Sequence, residues 1–388
     1  MEHLLARKKS LPPLGRKRSN SATSVTPSDQ RPREEKSAPY RDTRYELLLQ
    51  TKGTYMDISE LGITESSKCA IQELLEGDQP VPKDTIFDDF IFIHAYCNLR
   101  GKNEARVIQD ISRLIVPSAE TLALRVKSLR HLTESVNEGW NNSIPLIGTR
   151  PQPDYSVGLT REAFNKDQLA KLSPFIGDFI SGDQSFFMAT YYMYFPFLTC
   201  EVKCSAAALD VADRQNAHSM TLAVRAVTEL FCAVKRESEV HRQILAFSIS
   251  HDHRSVRIYG HYPVLKGKDA TYYRHPIRTF DFTELDGKEK WTAYRFTKNV
   301  YELWMPSHFK RICSAIDQLP ADLDFDNLSP STGLSQDLQS QHLAQLDANL
   351  DLLHTERGSQ SGNPEQEKAT PSTLFTNPGT AKKRKGKK

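Results

Sequence analysis

Three residues in this chain have the types and spacing to do chemistry together. Asp154 follows Pro153 at the head of a short β-like run, Tyr155-Ser156-Val157-Gly158-Leu159. Glu201 and Lys203 stand two apart at the end of an aromatic, β-rich stretch from Phe186 to Lys203. Residues i and i+2 of a strand point to the same face, so these two side chains project together. An acid and a lysine on one face of an otherwise apolar strand cannot be buried without partners. The end of that strand must therefore open onto water, a metal or another charge. The plainer alternative is an accidental Pro-Asp turn plus a strand-edge Glu–Lys pair.

The elements that must position these groups follow from hydrophobic periodicity. Residues from Arg44 to Glu76 read as short helical pieces, with Asp57 as an N-cap ahead of Ile58 and Leu61, and Pro80 to Pro82 interrupting them. Val107, Ile108, Ile111, Leu114 and Ile115 predict a helix over 103–116, closed by Pro117. Ser118 caps a second expected helix, with Leu122, Val126, Leu129, Leu132 and Val136 on one face, ending near Gly139. The stretch 164–180 reads as helix or loop. Phe186 to Lys203 suits a strand buried on both faces. Residues 206–234 predict a long helix, and 244–250 with 255–262 predict a hairpin around His251-Asp252-His253-Arg254. A strand over 271–282 and a closing helix over 288–319, bent at Pro306, complete a mixed α/β or α+β domain.

The chain has 388 residues, a net charge of +3, and 38% hydrophobic and 26% charged residues, ordinary for a soluble protein with a real core. Its basic excess is placed at the two ends. Residues 1–42 are Ser-, Pro-, Arg- and Lys-rich, carry Arg7-Lys8-Lys9 and Arg16-Lys17-Arg18, and are expected to be a disordered basic tail. Residues 43–100 form a helical extension, 101–320 the main domain, and 321–388 a disordered low-complexity tail ending in Lys382-Lys383-Arg384-Lys385-Gly386-Lys387-Lys388. Leucines between Gln336 and Leu353 suggest an isolated amphipathic helix in that tail. Short basic blocks on flexible tails read as nuclear-import signals or as phosphate-seeking arms, so a nuclear location and an import-receptor partner are expected; a solvated tail is the alternative. Six cysteines without CxxC or zinc spacing suggest neither a disulfide framework nor a structural zinc site. No secretory signal is read, and the most apolar run, Phe186 to Cys200, is shorter than the about 20 residues a membrane span needs.

Pro153-Asp154 followed by Glu201-Val202-Lys203 resembles the PD-(D/E)XK nuclease superfamily. The wider sequence is similar to a family of uncharacterised fungal proteins through Arg150 to Gly158, Cys200 to Lys203 and Ile258-Tyr259-Gly260-His261-Tyr262. The superfamily resemblance implies a restriction-endonuclease-like core: a central mixed β-sheet flanked by helices. It also implies that Asp154 and Glu201 ligate Mg²⁺ or Mn²⁺ while Lys203 orients or activates water. The chemistry is coherent, since Mg²⁺ takes hard carboxylate oxygens with phosphate and water, and a lysine alongside can stabilise charge building on phosphorus. A third acid from the preceding helix often completes such sites. Glu138 is the expected one, with Glu134 on the same helix face and Glu104 on the earlier helix as further options. Gln215, on the helix after the strand, matches a Gln of several superfamily branches, whereas Ser219 stands where the exonuclease branch carries Tyr. The interval of 47 residues between Asp154 and Glu201 requires an insertion around 164–183. Arg125, Lys127, Arg130 and Arg150 form either a phosphate track or a solvated helix face. His251 and His253 read as hairpin-turn residues, and the aromatics of 186–197 as sheet core rather than a base-stacking platform. The function implied is metal-dependent phosphodiester hydrolysis of DNA. The rival is a catalytically inactive nuclease fold serving as a nuclear nucleic-acid-binding or scaffold module.

Overall fold

Alternating and continuous apolar runs between 132 and 281 assemble into one mixed sheet. The computed structural model describes residues 1–8, 38–204, 208–267 and 269–320. Within them the strands are β1 (Leu132–Val136), β2 (Tyr155–Leu159), β3 (Tyr194–Val202), β4 (Ala246–His251), β5 (Ser255–Lys266) and β6 (Asp269–Asp281). They lie in sequence order across the sheet. Neighbours are antiparallel except β3 and β4, which run parallel with Glu201 opposite Ser250 and Val202 opposite His251.

A parallel pair needs a long crossover, and the long helix supplies it. Helices are α1 (Tyr45–Gln50), α2 (Glu65–Glu76), α3 (Asp89–Leu99), α4 (Glu104–Ile115), α5 (Ala119–Ala123), α6 (Lys166–Ile176), α7 (Leu209–Ala233), α8 (Thr292–Asn299) and α9 (Met305–Ile316). Crossover helix α7 packs along β3, β4 and β5. Asn216, in its N-terminal third, is fully buried. It accepts a hydrogen bond from Thr199 Oγ1 at 2.7 Å and donates to Ser250 Oγ and the Ile249 carbonyl at 2.9 and 3.0 Å, so this buried amide is matched on both ends. Thr199 therefore faces α7, and by strand alternation so does Glu201. On the opposite face Phe247 packs its ring against Phe296 and Trp304 of the C-terminal helical run. Every residue of β3 is buried, which is why that stretch reads as continuously apolar rather than alternating.

Several sequence expectations change. The helix expected from Ser118 to Gly139 is only α5, with Ser118 as its cap, followed by a 3₁₀ turn over Lys127–Leu129 and then β1. Leu132 and Val136 satisfy a helical spacing, but Leu132, Glu134 and Val136 equally alternate with Thr133 and Ser135. Pairing with β2 settles the competition in favour of the strand. The strand expected from Phe186 begins only at Tyr194; residues 186–193 fold back through an Ala189–Met193 backbone hydrogen bond and a Met188–Tyr194 bridge. Thr64, not Asp57, caps a helix in the N-terminal region, its Oγ1 accepting from the Ser67 amide at 3.2 Å, and Ile58 and Leu61 are exposed. The closing helix is interrupted where expected: Pro306 offers no N–H to the preceding turn, and Val300–Trp304 widens into π-helical geometry just before it.

The first eight residues, tail by composition, pack on the body: Leu4 is fully buried, and Arg7 exchanges main-chain hydrogen bonds with Gln184. The helix expected between Gln336 and Leu353 lies outside the described residues. Among the described residues no helix is long and apolar enough to cross a membrane, and all six cysteines are free.

Candidate functional site

The ends of β2 and β3, the start of α4 and the end of β4 meet at Lys203. Its amide donates to the His251 carbonyl at 2.9 Å, extending the parallel ladder by one residue. Its ammonium donates to the Val202 carbonyl at 2.9 Å. That same Nζ lies 3.5 Å from Glu201 Oε2, 3.9 Å from Glu104 Oε2 and 4.0 Å from Asp154 Oδ2. Asp154 is fixed in turn: its Oδ2 accepts from the Val202 amide at 2.8 Å, so its carboxylate caps the open end of the β2–β3 pair. Glu104 opens α4 behind the N-cap Asn103, whose Oδ1 accepts from the Arg106 amide at 3.0 Å. A carboxylate in a helix's first turn is favoured by the aligned peptide dipoles.

Side-chain exposure falls from 30% at Glu104 to 10% at Lys203, 3% at Asp154 and 1% at Glu201. Of the four, Glu104 is therefore the one that meets solvent. Three carboxylates gather around one ammonium in a largely dehydrated place, and carboxylate oxygens gathered in this way are the usual setting for a divalent cation. The donors are hard oxygens of the kind Mg²⁺ takes. Donor type fits such an ion. As the side chains stand, with Lys203 among the acids, no three His, Cys, Asp or Glu groups among the described residues converge closely enough to share one.

The surrounding groups are held by hydrogen bonds and by burial. His251 is fully buried; its Nδ1 lies 2.9 Å from the Asp252 carbonyl and its Nε2 3.1 Å from Ser112 Oγ. Burial pulls its pKa down to about 4, so near neutrality the ring is uncharged, with Nδ1 donating and Nε2 accepting. It ties α4, which carries Glu104, to the strand that holds Lys203. Beside α7, Tyr40 and Tyr45 place their hydroxyls 2.9 and 3.2 Å from His218 Nδ1. Burial, with the Glu201 charge adding to it, raises the Tyr40 hydroxyl pKa. Burial, again aided by Glu201, raises the pKa of the Cys200 thiol, so this cysteine is a packed thiol and not a nucleophile.

Of the residues singled out in the sequence, the structure brings Asp154, Glu201 and Lys203 together and adds Glu104 as the third acid. Glu138 and Glu134 are not on a helix. Glu138 follows β1 and accepts a hydrogen bond from the Tyr192 hydroxyl. Glu134 sits on β1 and accepts from Arg113, Ser118 and Tyr155 at 3.1, 2.8 and 2.7 Å. Gln215 is on α7 as expected and buried, its Oε1 without a hydrogen-bond partner among the described residues. The role of Tyr40 and His251 as neighbours of the cluster had no sequence signal, because residues distant along the chain supply each contact. Glu104 did have one: an Asn N-cap directly ahead of an acid in the first helical turn.

A family model described as "Domain of unknown function (DUF7924)" matches residues 91–316. The chain belongs to this family. No curated protein matches it. The DUF7924 region begins inside α3 and ends at the last residue of α9, so it contains Glu104, Asp154, Glu201, Lys203 and Gln215. Tyr40 and α1 lie ahead of it.

Proposed function

We propose that this DUF7924 protein is a metal-dependent phosphodiesterase of the PD-(D/E)XK kind, acting on DNA, with a restriction-endonuclease-like core. The observation that carries the reading is the placement of Lys203 Nζ within 4.0 Å of carboxylate oxygens from Glu104, Asp154 and Glu201. The order of elements around it supports the same reading: α4, then β1, β2 and β3, then crossover α7 into parallel β4.

Asp154 and Glu201, with Glu104, would hold Mg²⁺ or Mn²⁺. Once bound, the ion supplies a polarised water and neutralises charge on the phosphate. The residues of the chain do the rest. Lys203, held by its hydrogen bond to Val202, presents a cation to the phosphate oxygens and orients the attacking water. The Val202 amide fixes Asp154, Asn103 caps the helix that carries Glu104, and β3, buried throughout, keeps bulk water from behind the site. The basic blocks at Arg7 to Lys9, Arg16 to Arg18 and Lys382 to Lys388 would raise affinity for the polyanion in a salt-dependent way and address the protein to the nucleus through an import receptor.

A second reading, a nuclease fold without turnover that binds nucleic acid or scaffolds in the nucleus, is favoured by one specific observation: Asp154 and Glu201 are nearly closed off from solvent. Incubating the full chain with labelled single-stranded, duplex and branched DNA and Mg²⁺ or Mn²⁺ separates the two. Product from wild type that Asp154→Ala and Lys203→Ala both abolish supports the hydrolase. Equal background from all three proteins, with DNA still bound, leaves the scaffold.

A further inference from the structure

The contacts around the cluster close into a ring, and the far side of that ring exposes aromatic and basic side chains while its one acid, Asp252, is buried. From Lys203 the ladder bond leads to His251, and two residues on is His253. The His253 imidazole lies parallel to the Tyr96 phenol ring, centroids 6.0 Å apart and planes 6° apart. Tyr96 belongs to the last turn of α3. From there the chain passes through exposed Arg100 and Lys102 to Glu104, whose carboxylate returns to Lys203. A half-buried aromatic pair and two exposed cations thus form a border on the chain segments that run into the cluster.

We propose that this border receives an unpaired DNA strand: one base stacks on the Tyr96–His253 pair while Arg100 and Lys102 take flanking phosphates. The inference rests on the nucleic-acid reading of the same site and narrows it to single-stranded substrate or strand ends. A flat ring pair offers a π face to any base, but the bases of an intact duplex are already stacked on one another and cannot use it. The cations bind phosphate irrespective of strandedness. Strand preference therefore resides in the aromatic pair, and overall affinity in Arg100 and Lys102.

The test uses the full chain and fluorescence anisotropy in EDTA, so that no cleavage intervenes, with a labelled single strand and the same sequence as a duplex. Wild type should bind the single strand more tightly. Tyr96→Ala should weaken single-strand binding about tenfold, the worth of one stacked base, and leave duplex binding unchanged, whereas Tyr96→Phe keeps the preference. Arg100→Ala with Lys102→Ala should weaken both forms and flatten the salt dependence. Thermal unfolding of each variant keeps a folding defect from passing as a binding defect. If wild type binds DNA but Tyr96→Ala loses nothing, or loses equally on duplex, the inference is overturned while the reading of the site stands. If wild type binds neither form, both fall.

Discussion

Two acidic networks share helix α4, and they are built on opposite principles. At its C-terminal half, Arg113 and the cap Ser118 just beyond it meet Glu134 of β1 and Tyr155 of β2. The Glu134 carboxylate accepts from all three at 2.7–3.1 Å, Arg113 lies 4.3 Å over the Tyr155 ring, and the Tyr155 hydroxyl also takes the Ala119 amide. One acid is surrounded by donors. At the N-terminal end of the same helix, Glu104 joins Asp154 and Glu201 around a single ammonium at 3.5–4.0 Å. The first arrangement is a latch that fixes a helix to a sheet. The second concentrates carboxylates, which folding alone does not favour, and it is the one for which a bound cation is proposed. Adjacent residues at the head of β2 serve the two networks: Asp154, just ahead of the strand, one, and Tyr155, its first residue, the other.

If that contrast is right, the two ends of α4 respond to different perturbations. The largest effect belongs to the cluster. Asp154→Ala or Lys203→Ala should lower Mg²⁺-dependent cleavage by about a thousandfold in a gel assay of labelled DNA, with both variants still folded by circular dichroism. Retained cleavage in either variant erases the distinction.

Acid should act on the frame common to both networks. His261 and His308 are buried, and burial first, with nearby Arg274 and Arg311 respectively adding to it, lowers each pKa from 6.5 to about 3. The unfolded chain therefore takes up these protons below about pH 6.5 and the folded chain does not until about pH 3. Stability is full above pH 6.5 and is lost as pH falls through that window, by about 1 kcal/mol per pH unit for each histidine. Urea unfolding at pH 7, 6 and 5 reads it; a midpoint that does not move across this range contradicts the assignment.

Breaking the latch should cost stability and spare chemistry. Glu134→Ala, which removes the acceptor shared by Arg113, Ser118 and Tyr155, is expected to destabilise by about 2 kcal/mol in chemical denaturation, with cleavage at a permissive temperature unchanged. A loss of cleavage without loss of stability would move Glu134 into the cluster. The smallest effect is expected at Glu138, whose carboxylate serves Tyr192: Glu138→Ala should change stability by less than about 1 kcal/mol and leave the rate of cleavage as it was.

These sites differ in how far the sequence reveals them. Asp154, Glu201 and Lys203 are legible because each lies at the end of a strand, where a two-residue period and an apolar neighbourhood make a charge conspicuous. The third acid was misassigned because 118–139 carries a spacing compatible with both helix and strand. Read as helix, it sets Glu134 and Glu138 beside the site; folded as β1, it gives Glu134 to the latch. Only pairing with β2 distinguishes the two, and a single sequence does not display that long-range term. The hairpin of β4 and β5 and the crossover α7 were legible for the complementary reason, a strong local period without a competitor. His251 and His253 read as turn residues. The contact of His251 with Ser112 and the stacking of His253 on Tyr96 come from segments more than a hundred residues away.

The central claim is that Glu104, Asp154 and Glu201 hold a divalent cation beside Lys203. Isothermal titration of Mg²⁺ or Mn²⁺ into the full chain, with Asp154→Asn and Glu201→Gln alongside, tests it directly. Wild type should bind saturably, with a rise in thermal midpoint as ligand binds the folded state, and either variant should lose both. Identical heats and midpoints for all three proteins would contradict it.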